Sequence, residues 1–358
     1  MTTDVIIAGR GIAALVLSLL LKQKNRPHIV LSRQGRSKDF ALAETLPPSA
    51  LPLLKTMGLL PLFESTAIQK TYGYHSMWGT KKVTDTNFFF HRPYQYGLKI
   101  DKQAILTALS VQQKDHIHTY SDILDINNSA DGIELTLRQE NTTETIQGKI
   151  LIDATGRNRA ILEKLNVTTL HFDNLMAFSC HIPLQKHPAI KHPVYIESFE
   201  QGWGIISTLS ATQSVFTLFT NKENPKWQEF RKYENWPKIL ANTTLLRDFA
   251  QPYDSINVKG GLANSSKAQT IAGHNWMAIG DAALAFDPLS SHGITNSLYT
   301  TQTAASAIEK YLNSDTNALK EYTQNLNEIF DQYLKTKNQL YTNERRWPNS
   351  PFWQAVAQ

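Results

Sequence analysis

The sequence predicts an α/β fold, α+β over the whole chain, in which a dinucleotide-binding βαβ domain is interrupted by an antiparallel sheet and followed by a helical tail. Three observations predict it. Near the start, Asp4-Val-Ile-Ile-Ala-Gly9-Arg-Gly11-Ile-Ala-Ala14 reads as an apolar strand, a tight glycine turn and the opening of a helix. Late in the chain, Ala278-Ile-Gly280-Asp281 ends a second apolar strand, and a proline-bearing loop then runs into a helix at Gly293. Between them, residues 194–199, 204–209 and 214–219 alternate apolar and polar positions as antiparallel strands do.

In chain order, Gly9 makes the first turn and Gly11 lets the backbone approach a pyrophosphate, while Ala14 permits close packing of helix on strand. Ile12 and Ala13 complete this cofactor-binding set, and the helix runs over 13–22. The second strand is His28-Ile-Val-Leu-Ser-Arg33, where the acidic residue that ordinarily holds the adenosine ribose hydroxyls is replaced by Ser32, with Arg33 beside it. Segments 132–138 and 142–152 suit the two strands of a hairpin. After the strand at 276–279, Asp281 is placed to accept hydrogen bonds from sugar-type hydroxyls. The amides of Gly293 and Ile294 open a helix over 293–312 and face whatever negative charge lies ahead of them. A reduced flavin carries such charge at its N1/C2 oxygen edge, so the two motifs together point to a flavin. The tail over 316–340 has Leu319, Tyr322, Leu326, Ile329, Phe330, Tyr333 and Leu340 at helical spacing.

Composition agrees. With 358 residues and 41% hydrophobic content the chain can bury a sizeable core and form two interleaved domains. Its formal charge of +5, 36 basic against 31 acidic residues, hints at acidic partners and is too weak to imply nucleic acid. No arginine-aromatic cluster of the kind used for single strands stands out. The apolar run at 12–21 is too short to span a bilayer and reads as a buried helix. A single cysteine, Cys180, excludes an internal disulfide framework, reads as a buried apolar residue and fits a reducing cytoplasm. His187-Pro-Ala-Ile-Lys-His192 has neither the HExxH pattern nor a nearby cysteine pair, so no metal is expected.

Further segments carry a resemblance. Glu44-Thr45-Leu46-Pro47-Pro48, followed by a leucine-rich helix to Met57-Gly58-Leu59, resembles a halogenase-type Glu-x-Leu-Pro segment. Ile100-Asp101-Lys102 resembles a segment that usually reads Asp-Arg, and Asp153-Ala-Thr-Gly156-Arg157 resembles the Asp-Ala-Thr-Gly turn of an FAD domain. The tail, Tyr341-Thr-Asn-Glu344-Arg-Arg346-Trp347-Pro-Asn-Ser-Pro351-Phe352-Trp353, resembles the ending of flavoproteins that mature quinone-cofactor enzymes. The chain thus resembles the flavin-dependent monooxygenases of the p-hydroxybenzoate hydroxylase fold, in the tryptophan-halogenase-like branch. It is most similar to the flavoprotein maturases of lysine epsilon-oxidase and glycine oxidase, which take part in cysteine tryptophylquinone biogenesis.

The resemblance implies a discontinuous Rossmann-like FAD domain (1–69, 91–164 and 268–312), a substrate domain (70–90 and 166–267) and a C-terminal helical segment (313–358). It implies FAD as cofactor, with Glu44, Thr45, Lys102, Ile123 and Gly280 joining the binding residues already named. It also implies insertion of oxygen, activated at reduced FAD, into an electron-rich ring. Pro288 would line the oxygen-reacting face of the flavin, and His292 would serve as general acid or base. His75, Trp78 and Trp203, with Tyr195, are candidate substrate-side residues. A halogenase is disfavoured: of its Trp-x-Trp-x-Ile-Pro segment only Trp203 matches, and the adjacent Lys81 and Lys82 read as a solvated turn. Three readings stand: hydroxylation of a tryptophan in a partner amine-oxidase precursor, hydroxylation of a small aromatic molecule, and a flavin-stabilised assembly factor without chemistry of its own. The reductant is expected to be external, a flavin reductase or passing NAD(P)H, because no second dinucleotide motif is visible.

Overall fold

The computed structural model describes residues 1–35, 40–140, 142–184 and 193–356. The His187 to His192 segment, read above as lacking a metal pattern, lies outside the described residues. Strand β1 (Thr2–Ala8), helix α1 (Ile12–Gln23) and strand β2 (His28–Arg33) form the predicted βαβ unit. The Val5-Ile-Ile-Ala8 run is fully buried because β1 is central, with parallel partners on both sides: β2, and the strand Thr142–Asp153. Trp276–Ala278 extends this sheet beyond Thr142–Asp153, and Ile117–Tyr120 extends it beyond β2. The hairpin of Gly132–Gln139 with Thr142–Asp153 is antiparallel, as its alternation indicates.

The second large sheet runs in the order Lys259–Leu262, Met176–Pro183, Gln213–Thr220, Gly202–Thr208, Val194–Phe199, Gly73–Met77 and Thr84–Asn87. Only the contact between Val194–Phe199 and Gly73–Met77 is parallel. The expected boundaries at 69/70 and 267/268 each fall inside a strand. Lys70 pairs with Leu98 in a small sheet on the cofactor side, and Lys267 pairs with Leu284, so backbone pairing carries both residues across the expected divisions. The tail helix covers Ala318–Thr342, shifted by two residues at each end from the expected 316–340, and buries Leu319, Tyr322, Leu326 and Phe330. Among the described residues no helix is long and apolar enough to cross a membrane.

Candidate cofactor and substrate cleft

Two uncapped helix N-termini meet near one another. Helix α1 begins at Gly11 and the helix Gly293–Leu312 at His292, and neither start has a side-chain cap. Their first amides therefore lack intrahelical partners and favour an anion. A Cβ added to Gly11 or to Gly293 would meet nothing within 4 Å, so each start has room for a group to approach. Gly9, at φ +126°, would drive a Cβ to 2.3 Å from the Ala154 carbonyl oxygen, so no other residue fits this turn. Gly280 joins the two motifs, since its Cβ would lie 3.1 Å from Ala13 Cβ and 3.3 Å from Ser297 Oγ.

Asp281 sits in the short turn Gly280–Ala282, with Arg157 Nε 3.6 Å from its carboxylate. Burial raises its pKa, and Arg157 opposes this most strongly. Arg157 also donates to the carbonyls of Asn264 (2.6 Å) and Phe286 (2.7 Å), which fixes it beside the cleft. In the sequence Arg157 stands out only as the end of a turn motif. Glu44 pairs with Lys102 Nζ at 3.5 Å, and Asp101 caps the helix Lys102–Gln112 by accepting from the amides of Gln103 and Ala104. At the expected adenosine end, Ser32 is buried in β2 beside Thr119, and Arg33 donates to the Ser121 carbonyl at 3.1 Å. Ile123 packs its side chain in the hydrophobic core beneath the hairpin.

A cleft of about 880 Å³ separates this region from the second sheet. Glu44, Thr45, Arg157, Pro288, Gly293 and Ile294 line its cofactor side. Tyr74, Ser76 and Trp78 face it from the opposite side at alternate positions. The same alternation corrects the expectation for His75, which points to the other face of the sheet. There its ring lies 5.1 Å from that of Tyr195, and its Nδ1 is 3.6 Å from Asp85. Neither His75 nor Tyr195 lines the cleft. Trp203 is also corrected: it is 1% exposed, stacks on Phe219 at 3.8 Å, and donates through Nε1 to Tyr341 Oη at 3.0 Å. Of the named substrate-side residues only Trp78 lines the cleft, and its own Nε1 donates to the Leu340 carbonyl at 2.8 Å.

His292 is exposed at the mouth, with Nδ1 hydrogen-bonded to the Ser290 carbonyl of its own loop. A carbonyl can only accept, so Nδ1 carries the proton, and in the neutral ring Nε2 is the basic nitrogen. Asp287, passed over in the sequence, is buried and lines the cleft. It accepts from the Leu289 amide and from Tyr341 Oη, both at 2.8 Å, and burial pushes its pKa up to about 6. The single signal for Asp287 was its place before Pro288. Cys180 is buried, and burial pushes its thiol up to about 12, as expected of an unreactive apolar residue.

The model of the family described as the FAD binding domain matches residues 2–336. The chain belongs to this FAD-binding family. A protein described as an FAD-dependent oxidoreductase, LodB of Marinomonas mediterranea, is 26% identical over 359 residues, covering 98% of this chain and 96% of LodB. The solved structure of CmlS, a flavin-dependent halogenase, matches 100% of this chain and 68% of CmlS, with TM-score 0.87 and 21% identity. That of QhpG, a peptidyl tryptophan dihydroxylase essential for tryptophylquinone cofactor biogenesis, matches 99% of this chain and 79% of QhpG, with TM-score 0.77 and 19% identity. At these identities the two structures speak for the fold alone. The protein is an FAD-dependent oxidoreductase of the p-hydroxybenzoate hydroxylase type of fold. Its own geometry fits FAD: an open glycine turn and helix start at Gly11 for the pyrophosphate, and a second open helix start at Gly293 for an electron-rich edge.

Proposed function

We propose that this FAD-dependent oxidoreductase is a monooxygenase that hydroxylates a tryptophan side chain of a partner polypeptide, the precursor of a quinone-cofactor amine oxidase. The observation that carries the reading is the shape of the cleft. Its interior wall is apolar and aromatic, with Tyr74, Trp78, Ile196, Ile205 and Phe219, yet its rim at His91, Lys259, Leu262, Pro288 and His292 is exposed. A side chain still attached to its backbone needs such a mouth. The likeness in fold to QhpG, a peptidyl tryptophan dihydroxylase, supports the same reading, and the match to LodB over nearly the whole length of both chains supports FAD-dependent oxidation.

Bound FAD supplies the activation of oxygen. The residues of the chain bind, orient and exclude water. The amides at Gly11 and Gly293 hold the cofactor's anionic parts, and Asp281 accepts from its hydroxyls while Arg157 keeps that carboxylate in place. The aromatic wall holds the ring and keeps water from it. His292 is the proposed group that moves a proton at the mouth, through Nε2. We assign the electrons to an external reductase or NAD(P)H. A halogenase is disfavoured, since Trp203 is packed in the core and Lys81 and Lys82 are exposed.

A cleft of about 880 Å³ also suits a small aromatic molecule, which is why that second reading is kept. Mass spectrometry of the amine-oxidase precursor, coexpressed with and without this protein, tests the proposal. Added oxygen on one tryptophan is expected. Improved precursor solubility without a mass change would favour the assembly factor, and turnover of free tryptophan or a small phenol without any partner change would favour the small-molecule hydroxylase.

A further inference from the structure

Lys99 lies at the seam between the cofactor half and the substrate sheet, and it is fully buried. Its Nζ donates to the Ala43 carbonyl at 2.6 Å, to Thr45 Oγ1 at 3.0 Å and to Ser207 Oγ. Ser207 Oγ itself donates to the Ala43 carbonyl at 3.2 Å, so it is the oxygen's lone pairs that face the amine. Three acceptors match the three N–H bonds of an ammonium. Ala43, Thr45 and Ser207 all line the cleft, with Lys99 behind them. Ala43 and Thr45 belong to the cofactor side, whereas Ser207 sits on the strand Gly202–Thr208 of the substrate sheet. Burial works against the charge and brings the amine down to about 7, with Glu44 acting in the opposite sense. An apolar side chain would fill the site without that cost, so stability alone does not account for an ionisable group here.

We propose that Lys99 is a positioning residue for the cleft: as an ammonium it clamps the 43–45 wall to Ser207 and so sets the spacing between the flavin side and the substrate sheet. This rests on the reading that flavin ring and substrate share the cleft. Glu44, with its partner Lys102, is the charge that acts on Lys99; the same two groups act in turn on Asp281 beside Arg157, and His181 Nε2 is 2.8 Å from the Ala41 carbonyl of the same wall. His91 and His292 line the same cleft. The test therefore compares variants rather than reading one pH profile.

The visible absorption spectrum of bound FAD and its dissociation constant are followed between about pH 6 and pH 9. In the wild-type protein both carry a component with its midpoint near 7. Lys99→Met, checked for folding by circular dichroism, weakens FAD binding by roughly tenfold and removes that component. Ser207→Ala removes one of the ammonium's acceptors, so it keeps the component and moves its midpoint to lower pH. A Lys99→Met protein that matches wild type in spectrum, affinity and pH response overturns the proposal. If that variant does not fold, an unmoved midpoint in Ser207→Ala overturns it instead. Neither readout needs substrate turnover, so failure of the peptidyl-tryptophan reading remains a separate outcome.

Discussion

On the cofactor side of the cleft the candidate binding groups are chiefly backbone: amides at two helix starts and a glycine turn that tolerates no side chain. On the substrate side they are side chains at alternate strand positions, where a shift of one residue exchanges the cleft face for the core. The difference teaches where function can be read from a single chain. A backbone site is written in residue types that nothing else demands, whereas a side-chain site is written in the same aromatics that build a core.

The sharpest way to break the comparison is Gly11→Trp. The ring would occupy the open space at the α1 start while the sheet stays intact, and FAD affinity should fall by about a hundredfold or more. A folded Gly11→Trp protein that is isolated with its full complement of FAD would mean that the cofactor does not use this turn. Next in size is Trp203→Ala, which should cost about 3 to 5 kcal/mol in denaturant unfolding, as for any large buried aromatic, because Trp203 is packed on Phe219 and bonded to Tyr341. Small destabilisation together with altered substrate affinity would return Trp203 to the substrate side.

Asp281→Ala removes a charge-assisted acceptor, worth about 1.5 to 3 kcal/mol, so FAD affinity measured by titration should drop by roughly one to two decades. Unchanged affinity would mean that Asp281 serves only to hold Arg157.

The cofactor half was legible for physical reasons that these variants probe. Gly9, Gly11, Gly280 and Gly293 are spaced by the turn and the helix start, and the strands and helices around them lie within a residue or two of the expected bounds. The substrate strands were legible as strands, but which face met the cleft was not. His75 and Trp78 look equally suitable in sequence, and only the face each takes separates them, His75 beside Tyr195 and Trp78 toward the cleft. Lys99 and Asp287 were missed because their character comes from burial against distant segments: Ser207 for one, and Tyr341 for the other. No local pattern announces such contacts.

Two smaller effects sharpen the same contrast. Lys99 has a folded-state pKa near 7, below its ordinary 10.5, so between those values the unfolded chain binds the extra proton and stability rises with pH. From about pH 7 to pH 9 the wild type should therefore gain up to about 2 kcal/mol relative to Lys99→Met, read as an upward shift of its thermal midpoint relative to that of the variant. A constant gap would mean that the amine is already neutral, or still fully charged, across this range. Smallest is Ser32→Glu, which restores the usual acidic residue at the end of β2 and should tighten FAD by only a few fold, about 0.5 to 1 kcal/mol. No tightening would show that the buried position beside Thr119 keeps residue 32 from the adenosine end.

The central claim, oxygen insertion into a tryptophan of a partner chain, is tested most directly by peptide mass mapping of the amine-oxidase precursor. The precursor would be coexpressed with the wild-type protein, with Gly11→Trp and with His292→Ala. The account predicts one or two added oxygen atoms on a single tryptophan with the wild type and none with Gly11→Trp. With His292→Ala it predicts a reduced yield while FAD stays bound. An unmodified precursor in the presence of FAD-loaded wild-type protein and a working flavin reductase would contradict it.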